Sequence, residues 1–106
     1  MKKGFVYLIE DVNACTFKIG VTKNNPEKRL KALQTGNSSK LILREAYECN
    51  YPYRLENMLH NHYKLVNEIN EWFYIEKPKE FLHLCKEFDN IILSLKDNPH
   101  FSKNLK

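Results

Sequence analysis

Two side chains capable of proton chemistry lie inside short apolar runs near the start of the chain. Tyr7 falls in Phe5-Val6-Tyr7-Leu8-Ile9 and Lys18 in Phe17-Lys18-Ile19-Gly20-Val21. A phenol beside an ammonium is a candidate acid/base pair, because the cation favours the phenolate. Arg29 is a long cation that can reach outward or line a cleft. Glu56 and His60 are four residues apart, so a helix would carry them on one face. A carboxylate there can hold a divalent ion, and the imidazole can orient it or touch phosphate. Plainer readings stand beside these. Tyr7 can pack in a core while Lys18 and Arg29 reach outward to water. Glu56 can be a surface acid paired with a Lys or Arg, and His60 a residue on an amphipathic rim.

The elements that must position these groups follow from pattern. Both runs are strand-length and rich in β-branched and aromatic residues, and Glu10 to Thr16 between them is polar. They read as a β-hairpin with a longish loop, in which Tyr7 and Lys18 could be cross-strand neighbours. Asn25 is a good N-cap, Pro26 suits the first helical position and Glu27 the first turn. A helix should therefore run from Pro26 to about Gln34, with Leu30 and Leu33 inward and Arg29 on the flank. The loop Thr35 to Lys40 carries small polar donors and a lysine. It is either a solvated connector or a phosphate contact through Thr35, Asn37 and Lys40. A third strand is expected over Leu41 to Cys49. Pro52 opens a second helix, about Tyr53 to Val66, with Leu55, Met58, Leu59, His62, Leu65 and Val66 as its apolar face. His60-Asn61-His62 spells the letters of a nuclease family, but positions two apart on a helix do not converge. Asn67 to Asn70 reads as a turn and Glu71 to Ile75 as a short aromatic strand. There Trp72 is most simply an anchor, with base stacking the sharper alternative. Pro78 begins a last helix to about Leu95, whose apolar stripe packs on the domain or on a second subunit.

The chain has 106 residues, three cysteines and a formal net charge of +4, with a pI near 8.9. That length supports one domain with one modest core, about residues 1–96, followed by a polar tail over 97–106. Cys15, Cys49 and Cys85 are widely spaced and odd in number. This argues against a disulfide framework or a structural zinc site and for an intracellular setting, cytoplasmic or nuclear. The apolar run after Met1-Lys2-Lys3 stops at Glu10, too short for a signal peptide, and no stretch approaches membrane-span length. The basic excess is mild and fits a polyanionic partner without requiring one.

Read together, the fragments resemble the GIY-YIG nuclease superfamily, and more closely its branch described from phage open reading frames and a fungal meiotically up-regulated gene. The matching text is Val6-Tyr7-Leu8-Ile9, Phe17-Lys18-Ile19-Gly20-Val21-Thr22, Arg29-Leu30, Leu33-Gln34-Thr35-Gly36-Asn37, Leu55-Glu56-Asn57-Met58-Leu59-His60 and Glu71-Trp72-Phe73. It covers about residues 4–76. Phe5 stands where the first motif has glycine, and Lys18 where the second has tyrosine, a KIG form that looks usual for this branch. The asparagine that often closes the family's site has no assigned counterpart.

The resemblance implies an α+β fold: a three-stranded antiparallel sheet flanked by helices, here with a short extra strand and a C-terminal helix. It implies an endonuclease that hydrolyses nucleic-acid phosphodiesters, DNA before RNA. Tyr7 and Lys18 would form the general-base system, with Arg29 on the phosphate and Glu56 as ligand of Mg²⁺ or Mn²⁺. Gly20 would let backbone or substrate approach closely. His60 would be an auxiliary phosphate contact, and Lys23, Thr35, Asn37 and Lys40 would contact nucleic acid. Cutting both strands with one small site calls for a homodimer, two events or a targeting module, and a phage or viral origin is open. The rival reading is a non-catalytic DNA-binding module that kept the fold. It would need no acidic residue facing phosphate, and its binding would persist without metal.

Overall fold

Val6, Tyr7, Leu8 and Ile9 are all essentially excluded from water. Side chains alternate across a strand, so both faces of this one are covered. That explains an unbroken apolar run where a half-exposed strand would alternate. In the computed structural model, which describes residues 3–64, 68–69 and 72–95, the run is β1 (Gly4–Asp11) of an antiparallel sheet. β2 (Thr16–Thr22) flanks it on one side and β3 (Leu41–Cys49) on the other. β4 (Glu68–Ile69) and β5 (Trp72–Phe73) extend the sheet beyond β2, giving the order β3-β1-β2-β5-β4. The architecture is α+β, as expected. The expected extra strand shrinks to Trp72–Phe73, and Glu68–Ile69, read as turn, is its partner strand. Glu71 lies outside the described residues.

The hairpin turn is built by Asp11, whose Oδ1 accepts from the backbone N–H of Asn13 and Ala14 at 3.1 and 3.0 Å. Helix α1 (Pro26–Thr35) starts where the capping residues predict. Asn25 Oδ1 accepts from the Glu27 N–H at 2.9 Å. Helix α2 (Pro52–Tyr63) opens at its proline. Its described part ends at Tyr63, and the expected continuation to Val66 falls outside the described residues. Pro78–Glu80 forms a short 3₁₀ turn, so helix α3 (Phe81–Leu95) begins three residues later than expected.

The helices divide the sheet's faces. α2 and α3 cover the face carrying Val6, Leu8, Phe17 and Ile19 with Leu55, Leu59, Phe81 and Cys85. α1 lies over β1 and β3 on the other face, where Leu30 and Leu33 pack on Tyr7, Ile9 and Leu41. Three expected core positions are corrected. His62 is exposed, its ring set edge-on against Tyr63 and Phe88. Ile91 and Leu95 are also exposed, because α3 turns that edge to solvent. In their place Asp89 enters the buried stripe, where its Oδ2 accepts from the Tyr47 hydroxyl at 2.9 Å.

The three cysteines are free thiols, Cys15 exposed and Cys49 and Cys85 buried. Burial, then the Asp89 charge, pushes Cys49 up to about 11. Burial, then Cys49, pushes Cys85 up to about 12. Burial and the Asp89 hydrogen bond likewise push Tyr47 up to about 12. These groups are neutral when protonated, and folding raises their pKa. The stability they contribute is therefore complete below the unfolded thiol value and is lost as pH rises through the folded values. The urea midpoint is expected to hold up to about pH 9 and fall between there and about 12. A midpoint flat across that window would contradict the assignment. Below it, a thiol reagent should label Cys15 alone in the native protein.

Candidate active site

Because α1 lies over β1 and β3, the surface above β2 opens into a cleft of roughly 370 Å³. Its walls come from four elements: Tyr7 on β1, Lys18, Ile19, Gly20 and Val21 on β2, Arg29 on α1, and Glu56 and His60 on α2. Five residues expected to do chemistry, from positions 7 to 60, thus meet in one place. The charged lining is one guanidinium, one ammonium and one carboxylate, a balance that attracts phosphate while offering a hard oxygen ligand.

The register decides how Tyr7 and Lys18 relate. Tyr7 lies opposite Gly20, and Lys18 lies opposite Ile9. The expectation of a directly facing pair is corrected: the two are diagonal neighbours on one face, two residues out of step. The reason is loop length. With strands ending at Asp11 and Thr16, the four residues between them set the pairing two residues away from a Tyr7–Lys18 match. Diagonal neighbours remain within reach of long side chains.

Gly20 has a role that its motif position alone does not reveal. The Tyr7 ring lies flat across it. A Cβ at Gly20 would stand 2.5 Å from Tyr7 Cζ and closer still to the hydroxyl oxygen. The ring is 1% exposed and packs on Ile9 and Leu41, so it moves only at the cost of that packing. Gly20→Ala is therefore expected to cost about 1–3 kcal/mol of stability, as overpacking does, and to displace the Tyr7 hydroxyl. A denaturation midpoint equal to wild type would show that the ring can yield.

Around that hydroxyl the other groups are held by specific contacts. Arg29 Nε donates to Tyr7 Oη at 3.4 Å, a long bond from an exposed side chain that keeps its remaining donors for a ligand. His60 Nε2 lies 2.9 Å from the Ile19 carbonyl. A carbonyl only accepts, so the imidazole carries its proton on Nε2. Ile19 follows Lys18, which pairs with Trp72 of β5. His60 thus ties α2 to β2, its ring also tilted against Phe73 with centroids 5.1 Å apart. That bond fixes the α2 edge on which Glu56 sits one turn earlier.

The remaining candidates lie off the cleft wall. Lys23 is exposed, its Nζ 5.9 Å from the Tyr53 ring. The Thr35 hydroxyl donates back to the Lys31 carbonyl at 2.9 Å. Asn37 Oδ1 accepts from the Ser39 N–H at 2.8 Å, and Lys40 is exposed at the mouth of β3. Gln34, which the loop reading passed over, organises this segment. Its Nε2 donates to the Ser39 carbonyl at 2.7 Å and its Oε1 accepts from the Leu41 N–H at 2.8 Å.

A divalent cation must fit this donor set. Among the described residues no group of three His, Cys, Asp or Glu side chains is gathered. A closed, all-protein cage of the zinc type is therefore not what these residues build. One half-buried carboxylate in an open polar cleft suits a hard cation that keeps most of its waters and takes phosphate oxygens as further ligands.

The family model of the T5orf172 domain matches residues 4–91. The chain belongs to the T5orf172 domain family. This domain occurs in phage open-reading-frame and related nuclease-type proteins. The match contains every cleft residue and most of α3, so that helix is part of the T5orf172 domain rather than an appendage. No curated protein and no solved structure gives a match to this chain. Among the described residues, no helix is long and apolar enough to cross a membrane.

Proposed function

We propose that this T5orf172 domain is a metal-dependent endonuclease of the GIY-YIG type, with a KIG second motif, acting on nucleic-acid phosphodiesters and on DNA before RNA. The observation that carries the reading is the meeting of Tyr7, Lys18, Arg29, Glu56 and His60 in one cleft. A module that only bound nucleic acid would gain nothing from a carboxylate among the phosphate contacts.

Hydrolysis needs a proton acceptor for water, compensation of charge on the phosphate and stabilisation of the leaving oxygen. Arg29 is placed to pair with the non-bridging oxygens. Tyr7 takes the proton of the attacking water, directly or by relay to Lys18. Gly20 provides the flat floor that sets the phenol's height. His60 holds α2 against β2 and so holds Glu56 over the cleft. Mg²⁺ or Mn²⁺ bound by Glu56 would polarise the phosphate and offset charge on the leaving 3′-oxygen.

Incubation with an end-labelled DNA oligonucleotide and Mg²⁺ tests the reading. Products ending in 3′-hydroxyl and 5′-phosphate, absent in EDTA, are expected. Salt-sensitive binding that persists in EDTA with no products in either condition would favour the non-catalytic module.

A further inference from the structure

We propose that the cleft receives a single-stranded or locally unpaired stretch of nucleic acid, with Trp72 and Tyr53 as base-stacking platforms at its two ends. The proposal rests on the nuclease reading for the fate of the strand and names the substrate class within it. Trp72 pairs opposite Lys18, a cleft residue, and the Lys18 ammonium stands 5.9 Å from the indole centroid. The indole packs on the Tyr7–Ile9–Leu41 core yet is only half-buried. At the other end Tyr53 is 46% exposed. It lies three residues before Glu56 on α2, so Tyr53, Glu56 and His60 run along one helix edge. Its ring has the Lys23 ammonium 5.9 Å away.

The cleft is therefore bracketed by two aromatic–lysine pairs. Lys18 lies on β2 and Lys23 just past its end, on either side of Gly20 along the chain. At 5.9 Å each ammonium is at the outer limit of contact with its ring, so a base that stacks on either platform displaces the lysine toward its own phosphate. Bases inside a duplex are already stacked on their neighbours and offer no face to a protein ring. Bases of an unpaired strand do, and aromatic rings flanked by cations are how such strands are held. With one base on each platform, the backbone between them passes Lys18, Arg29 and Lys23, and a phosphate falls over Tyr7.

Trp72 is the single tryptophan of the chain, so intrinsic emission reports on it alone. The full chain in EDTA is titrated with a labelled single-stranded oligothymidylate and with a labelled duplex, following Trp72 emission and label anisotropy together. The single strand is expected to quench Trp72 and the duplex to leave it unchanged. Tyr53→Leu should weaken single-strand binding about tenfold, equivalent to ~1.4 kcal/mol and within the range for one stacked base. Its exposure makes this variant safe for the fold, whereas Trp72→Leu would also lose core packing. Single-strand binding without quenching, equal quenching by duplex, or wild-type affinity in Tyr53→Leu would each overturn the proposal. Failure to bind either form would overturn it too. The oligonucleotide product assay with Mg²⁺ shows independently whether the nuclease reading stands.

Discussion

Glu56→Ala is expected to remove Mg²⁺- or Mn²⁺-stimulated cleavage while leaving the fold and nucleic-acid binding in place. Among the described residues Glu56 is the sole carboxylate of the cleft wall, so its loss removes the anionic oxygen that those residues offer a cation. Alanine is a strong helix former, and the buried contacts of α2 come from Leu55 and Leu59, so the helix survives. Binding of an oligonucleotide in EDTA should hold or tighten, because a negative charge has left a phosphate site. Glu56→Gln separates charge from shape: it keeps the side chain's volume and hydrogen bonding and should be as inactive as alanine. Cleavage by Glu56→Gln near the wild-type rate would assign the residue a structural role. If the variant instead lost secondary structure by circular dichroism, the activity comparison would pass to the glutamine alone.

Tyr7→Phe is expected to lower the cleavage rate about 10²–10⁴-fold, the usual cost of losing a general base. The substitution removes only the oxygen. The ring is 1% exposed and its packing on Ile9 and Leu41 is retained. The lost hydrogen bond to Arg29 is long at 3.4 Å, so stability should change by less than ~1 kcal/mol. The effect should therefore fall on kcat with little change in KM, the pattern of a group that acts in the transition state. A rise in KM with kcat unchanged would indicate a binding contact instead. Undiminished cutting would mean that the proton goes elsewhere.

Much of this site was legible in the chain because its residues carry type and spacing together. A phenol and an ammonium inside strand-like runs, and a Glu and His one helical turn apart, announce themselves before any coordinates are known. Elements with strong local punctuation were equally plain. Asn25-Pro26 and Pro52 open helices where expected, and β3 runs from Leu41 to Cys49 as its pattern indicates. What could not be read depends on contacts between distant segments. The diagonal offset of Tyr7 and Lys18 is set by the hairpin's exact pairing, which a polar loop does not encode. Gly20 reveals its purpose only when Tyr7 is seen lying across it. Asp89 interrupts an apolar stripe and looks misplaced until Tyr47, 42 residues earlier, supplies its hydrogen bond. His60 looks like a surface histidine until the packing of α2 on β2 brings the Ile19 carbonyl to it.

Nicking of supercoiled plasmid decides whether Glu56 and a divalent cation carry the chemistry. Wild type and Glu56→Ala, purified identically, are compared in Mg²⁺, in Mn²⁺ and in EDTA. Open-circular product is expected from wild type with either metal, and none from wild type in EDTA or from Glu56→Ala in any condition. Equal nicking by both proteins would place the chemistry outside this cleft. A wild type that binds the plasmid in a salt-sensitive way but leaves it supercoiled with both metals would contradict the endonuclease assignment.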